Sequence, residues 1–408
     1  VVNDFVTISN AVSLGGNITA SVLNQEHQIT SVPDVNTYTF TASATANSSD
    51  SGNGGSATDA AYQLNVGLDV YVPSSGWGAG TWGAGTFGST TALSFANQLR
   101  LWSHDNFGED IIINPRDSGL FYWDKTSGLS ARAVELSATG TFSGETSVPQ
   151  VAKQVLVSDQ DRHVIAFGCD GFGATATTTQ GNGVQDPLLI RFSSQENPVQ
   201  WFPTATNTAG DLRLGGGSTF VQAVETKQQI LCFTNKTLHA MKFIGPPFTF
   251  GLQELSKNIT IASPSAAIAI EDTVFWMGSD TFYAYAGGQT QQLPCTVKEK
   301  VFLDFNFEES SKVHAGVNSE FSEILWFYPT ASSTEVDAYV AYNYLEKVWY
   351  YGTLARQAWL DRGIRSLPLA TGGQYLYNQE VGYDDDGSAM TSFIESAPMD
   401  IGDGEKFL

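Results

Sequence analysis

Ser103, His104 and Asp105 are consecutive in the stretch LWSHDNFGED, a nucleophile, a base and an acid side by side. Acyl transfer needs the three to converge on one point. Neighbours in an extended chain project to opposite faces, so this trio is wrongly spaced for a proton relay. Asp384, Asp385 and Asp386 before Gly387 hint at a calcium loop. Such a loop needs oxygen ligands at alternate positions over about twelve residues and a closing glutamate, a pattern not met with Gly387 as its turn residue, so a solvated turn accounts for them better. His27, His104, His163, His239 and His314 fall in separate stretches without the close His or Cys/His pairing of a zinc site. Cys169, Cys232 and Cys295 are odd in number and far apart, which suits buried free thiols rather than a disulfide framework. The glycine-rich GWGAGTWGAG lacks the Lys-Ser/Thr of a phosphate loop.

Sugar chemistry fares little better. The stretch after Ser103 approaches a Ser-x-Asp-x-Gly turn box, but Phe107 stands where the glycine belongs and Gly108 comes one residue late. Glycoside cleavage needs converging carboxylates, or an arginine cluster for an anionic sugar, and the 20 Lys and Arg residues are scattered. No catalytic, cofactor-binding or metal-ligating set is therefore assigned, and a non-enzymatic protein is expected. The balance of 42 acidic against 20 basic residues, a formal charge of −22, argues against binding nucleic acid by phosphate neutralisation. It remains compatible with a surface past which DNA slides without sticking, or simply with solubility.

The elements that would carry these residues are strands. Hydrophobic residues make up 42% of the 408 and aromatics 12%, enough for a large core. Residues 99–136 hold four short apolar or aromatic runs separated by Asn, Asp, Gly and Pro, the pattern of one four-stranded meander. Hairpins of the form apolar strand, charged turn, apolar strand follow at 155–168, 220–233, 266–278 and 314–328. Each precedes an aromatic hairpin, at 187–203, 236–255, 280–294 and 337–352, with a weaker copy at 373–388. About six such units favour radial repetition, a β-propeller, over a sandwich or jelly roll.

Upstream, period-two alternation around Phe5–Ser9 and Thr37–Ala42, with one helical turn between, predicts a small β-rich platform domain over 1–72. Its segment 46–58, ANSSDSGNGGSAT, reads as a mobile loop. A Gly/Trp-rich linker spans 73–94, where Trp77, Trp82 and Phe87 each precede glycine and are candidates for a subunit interface. The propeller body takes 95–408, with a C-terminal return toward the platform. No apolar run approaches the length of a membrane span. The start VVNDFVTISN and the end Lys406-Phe407-Leu408 read as those of a segment cut from a longer protein.

LRLWSHDNFGEDIIINPRDSGLFYWD, preceded by GWGAGTWG and followed by RAVEL, resembles the tail nozzle (tail tubular) structural proteins of short-tailed bacteriophages. TVFWMGSDTFYAYAGGQTQQLPCTVKEKVF, GYDDDGSAMTSFIESAPMDIGDGEKF and FVTISNAVSLGGNITASVLNQEHQIT are similar to further parts of that family. The resemblance implies an all-β subunit, a propeller body on a β-rich platform. It also implies assembly into a homo-oligomeric ring, expected to be a hexamer, in the virion tail below the portal and adaptor. DNA would pass through its lumen without sequence-specific binding, and an acidic lumen would keep friction low. The rival expectation is a tail protein that binds or depolymerises host-surface carbohydrate, stacking sugars on Trp77, Trp82 and Trp102.

Overall fold

A computed structural model of the chain describes residues 2, 4–34, 36–63, 67, 99–129, 131–136, 147–172, 181–245, 247–384 and 387–394. The fold is all-β, a β-propeller preceded by a small β sheet. The N-terminal sheet holds β1 (Phe5–Ser9), β2 (Glu26–Asp34), β3 (Thr37–Phe40) and β4 (Asp59–Gln63) in the order β3-β2-β1-β4. The predicted helical turn is α1 (Ala20–Leu23). Val6 and Ile8 alternate into a small core with Ala11 and Ile29, as their period of two requires.

Segment 46–58 is a loop between β3 and β4. It forms no regular element, but the Asp50 carboxylate accepts backbone N–H bonds from Gly16 (2.8 Å), Asn17 (3.1 Å), Ile18 (2.8 Å) and Asn47 (2.7 Å). Desolvation pushes this carboxyl up, and the four donors more than offset it and hold it below the usual range.

Blade one is β5 (Trp102–Phe107), β6 (Asp110–Pro115), β7 (Phe121–Trp123) and β8 (Val134–Glu135). Blade two is β9 (Gln154–Val157), β10 (Val164–Phe167), β13 (Leu189–Phe192) and β14 (Gly210–Arg213), with a two-stranded hairpin of β11 (Asp170–Phe172) and β12 (Gly181–Gln185) inserted. Blade three is β15 (Phe220–Glu225), β16 (Ile230–Thr234), β17 (Thr237–Gly245) and β18 (Thr249–Lys257). Blade four is β19 (Ala267–Ile270), β20 (Thr273–Met277), β21 (Phe282–Ala286) and β22 (Gln289–Leu293). Blade five, reached through helix α2 (Lys298–Leu303), is β23 (His314–Asn318), β24 (Glu323–Tyr328), β25 (Ala338–Asn343) and β26 (Val348–Thr353). A sixth sheet has three strands among the described residues, β27 (Ala358–Leu360), β28 (Leu369–Gly372) and β29 (Tyr375–Asn378).

Every ladder is antiparallel within its blade, and the first strand of each blade packs on the first strand of the next, from β5 through β9, β15, β19 and β23 to β27. That arrangement is what makes the sheets blades of one wheel rather than layers of a sandwich. Three of the sequence-predicted elements need correction. The strand expected over 131–136 shrinks to Val134–Glu135, and the second strand of the hairpin expected at 187–203 is absent. The chain there turns Trp201 into the core instead, and the outer strand forms later, at Gly210–Arg213. The weak copy at 373–388 yields only Tyr375–Asn378 among the described residues.

A separate apolar cluster fills each of the five seams between successive sheets. Strands of the blade centre, such as ILCFT of β16, are buried on both faces because a neighbouring blade covers each. At least one aromatic pair crosses each seam from blade two onward, among them Phe167 on Phe220 (5.0 Å), Phe233 on Trp276 (5.1 Å), Phe282 on Trp326 (4.9 Å) and Phe327 on Trp359 (5.6 Å). Such pairs add about 0.5–1.5 kcal/mol each beyond their burial.

Candidate functional site

Strand β5 alternates as its sequence demands: Trp102, His104 and Asn106 are exposed, while Ser103, Asp105 and Phe107 face blade two. Ser103 Oγ accepts the Val155 N–H (3.0 Å), and Asp105 Oδ2 accepts the Val157 N–H (2.8 Å). Two residues on one strand thus meet two on the next in the same direction, so β5 and β9 run parallel. His104 lies on the opposite face from both partners, and the trio does not converge. Its serine and aspartate serve as clasps between blades.

The next two seams use glutamine in the same way. The Gln154 side chain donates to the Ala223 carbonyl (2.8 Å) and accepts the Ala223 N–H (2.8 Å), joining β9 to β15. Gln222 makes the equivalent pair with Ala267 (2.9 Å each way), joining β15 to β19. A primary amide reproduces the donor and acceptor of a peptide group, so each glutamine acts as one extra rung between parallel strands. At the head of β19 and β23 the link is a backbone bond, Ala315 N–H to the Ser265 carbonyl (2.8 Å), flanked by side-chain bonds from Ser263 Oγ to the Val313 carbonyl and from Trp326 Nε1 to the Ala266 carbonyl (2.9 Å).

The two ends of this inner ring differ in charge around blades one to three. At the end where the inner strands begin, Arg116 donates to the carbonyls of Lys153 (3.2 Å), Val221 (3.2 Å) and Phe220 (3.4 Å), so one guanidinium of blade one touches blades two and three. Its neighbour Asp117 pairs with Lys153 (2.9 Å) and accepts from the Gln185 amide (2.8 Å). Burial pushes the Asp117 carboxyl up, but Lys153, Gln185 and Arg116 outweigh it and hold it below the usual range.

At the opposite end, four carboxyl groups gather about the β9–β10 turn. Glu225 Oε1 accepts the Asp159 N–H (3.0 Å) from blade three, while Asp105 holds Val157 from blade one. Burial raises the Glu225 carboxyl to about 7, with the charges of Asp159, Asp105 and Asp161 adding to the rise. Asp105 and Asp161 are also raised, chiefly by burial. Among the described residues, no group of three or more His, Cys, Asp or Glu is arranged to hold a metal ion.

The remaining sequence candidates are dispersed. Trp77, Trp82 and Phe87 lie outside the described residues. His27 stacks on Phe40 (4.1 Å), and His163 is buried among Phe192, Phe243 and Phe250. His239 lies 4.0 Å from Glu254, and His314 stacks on Phe327 (4.9 Å). Asp384 Oδ1 accepts the Gly387 N–H (2.9 Å), an ordinary turn, and Asp385 and Asp386 lie outside the described residues. All three cysteines are free thiols, with Cys169 and Cys232 buried and Cys295 half-buried. Arg116, Gln154, Gln222 and Glu225 are the residues that sequence reasoning missed. The one available signal was a lone glutamine interrupting or opening an apolar strand, as in KQVLV and FVQAV.

No protein-family model matches the sequence. No curated protein matches it either. Among solved structures, the chain is similar to a fungal alcohol oxidase in complex with copper, at 10% identity and a TM-score of 0.41 over 67% of this chain and 58% of that one. It is similar to Hsv2 of Kluyveromyces lactis, at 7% identity and a TM-score of 0.38 over 72% and 78%. The AfRom2 CNH domain aligns at 11% identity and a TM-score of 0.36 over 66% and 76%. Likenesses this distant carry no functional argument, and the blades stand on strand order and the inner-strand contacts.

Proposed function

We propose that the chain is a structural subunit of the tail nozzle of a short-tailed bacteriophage, building with its copies a tube that retains the genome and through which DNA leaves. The observation that carries this reading is where the nozzle-like motifs fall. LRLWSHDNFGEDIIINPRDSGLFYWD covers three strands of blade one, and TVFWMGSDTFYAYAGGQTQQLPCTVKEKVF covers three strands of blade four. The resemblance therefore lies in scaffold strands and their turns, where Ser103 and Asp105 join blades. Exposed apolar side chains add support: Ile244 and Phe248 at the β17–β18 tip, and Leu360, Tyr375 and Leu376 in the sixth sheet, are surface that copies of the chain would cover. The charge of −22 suits a lumen that repels phosphate. Electron microscopy of the purified protein tests the reading. Rings with a central hole, at a mass near six times 43.9 kDa, are expected. A monodisperse monomer at high concentration defeats it.

One observation favours a second reading, in which the chain binds carbohydrate: Trp102, at the start of β5, is 54% exposed and offers a stacking face. Saturable binding of the monomer to a glycan array, lost in Trp102→Ala, would select that reading over the nozzle.

A further inference from the structure

Glu225 stands at the junction of three blades. From blade three it holds the Asp159 N–H of the β9–β10 turn, and from blade one Asp105 holds Val157 at the root of the same turn. The turn of blade two is thus gripped from both sides by carboxylates, where the glutamine seams nearby use neutral groups. A third link, from the Gln160 side chain to the Lys227 carbonyl, ties the turn to the β15–β16 turn.

The charges that face Glu225 are mostly of its own sign. Asp105 approaches from β5 with His104 beside it, and Asp159 and Asp161 approach from the β9–β10 turn. The cations at hand are engaged elsewhere. Arg162 lies over the Phe107 ring (5.5 Å) and pairs with Glu196 (3.8 Å), and Lys227 pairs with Glu271 (3.7 Å) of the β19–β20 turn. Ser158, Asp161, Glu225, Thr226, Gln229 and Phe243 border a narrow cleft here, and Gln229 Oε1 is a buried acceptor with no partner. An unsatisfied acceptor in a cleft favours a nearby acid in its proton-donating form over one more anion.

We propose that the β9–β10 turn is a proton-set clasp: uptake of a proton by the Asp105–Asp159–Asp161–Glu225 group tightens the junction of blades one, two and three, and loss of that proton loosens it. The hydrogen bonds survive protonation, because a carboxylic acid keeps a carbonyl oxygen that accepts the same N–H. What changes is the repulsion among carboxylates, of which those of Asp105, Asp161 and Glu225 are half-buried and that of Asp159 is exposed. A carboxyl raised in the folded state adds stability that is complete below its unfolded value and is lost as pH climbs through its folded one. With Glu225 raised from 4.5 to about 7, the loss sets in above about pH 4.5 and is complete by about pH 8, so the interval from pH 6 to 8 samples its last part.

Thermal unfolding of the full chain at pH 6, 7 and 8 tests this. The melting temperature is expected to fall by on the order of 2 °C across the interval, and Glu225→Gln is expected to remove at least half of the fall. Asp280→Asn, which deletes the same charge on a remote turn, should leave the slope as in the wild type. A flat or rising wild-type profile overturns the proposal, as does a slope that Asp280→Asn flattens as much as Glu225→Gln. Should Glu225→Gln fail to fold, amide exchange in the wild type decides. Protection of Val157 and Asp159, corrected for intrinsic exchange, should drop several-fold from pH 6 to 8, and unchanged protection refutes the clasp.

Discussion

Blades one to three are fastened at both ends of their inner strands, by opposite chemistry. At one end a single guanidinium, Arg116, reaches three carbonyls across two seams, with the Asp117–Lys153 pair beside it. At the other, Asp105 and Glu225 accept two N–H groups while four carboxyls crowd one turn. The difference lies in the backbone groups left over at each end: carbonyls of Lys153, Phe220 and Val221 at the first, which call for a donor, and the N–H groups of Val157 and Asp159 at the second, which call for acceptors. Arginine meets the first call without internal repulsion. Carboxylates meet the second only by accumulating like charge.

The asymmetry is broken most directly at Arg116. Arg116→Met keeps the aliphatic stem but leaves three carbonyls without their donor, and it should destabilise the protein by about 3–5 kcal/mol in denaturant unfolding. A loss below about 1 kcal/mol would mean that water replaces the guanidinium. Asp105→Ala should cost less, about 1–2 kcal/mol, since one buried N–H loses its acceptor while repulsion falls. Asp105→Asn keeps an acceptor without the charge and should be near neutral. If the asparagine is as damaging as the alanine, the charge itself is needed and the contrast between the ends fails.

The smallest effect is expected from acid, and it has opposite signs at the two ends. Asp117 is held below its ordinary value, so its contribution is present above about pH 4 and is lost as pH falls through its lower, folded value. The Glu225 end is by then protonated and relaxed. Asp117→Asn should therefore flatten the drop in melting temperature between about pH 4 and 2, whereas Glu225→Gln should leave that drop unchanged. Equal flattening by both would show that the ends do not titrate separately.

Much of the wheel was legible in the sequence. The hairpins at 155–168, 220–233, 266–278 and 314–328 all form, because two apolar runs around a charged turn leave a chain few alternatives. The misreading at 187–203 came from Trp201: an aromatic after a turn looks like a strand, but burial of its ring outweighed ladder formation, and the actual strand, GDLR, is too short and polar to stand out. The β11–β12 hairpin escaped notice for the same reason, its residues being Gly, Asn, Gln and Asp beside one Phe and one Val. The fastenings were less legible than the blades. Gln154 and Gln222 look like any other glutamine until the strand 69 or 45 residues away is in place. Ser103 and Asp105 drew attention for the wrong chemistry, and only the neighbouring strand shows what they hold.

The glutamine rungs bear on how such a wheel would carry load. Gln154 and Gln222 each place two bonds crosswise between parallel strands, so a force along the strand axis strains both at once instead of peeling them in turn. Bonds sheared together must rupture together, which raises the force a seam withstands without making it any more stable at rest. A conduit subjected to the thrust of its contents would gain toughness from this geometry that no equilibrium melting experiment would register.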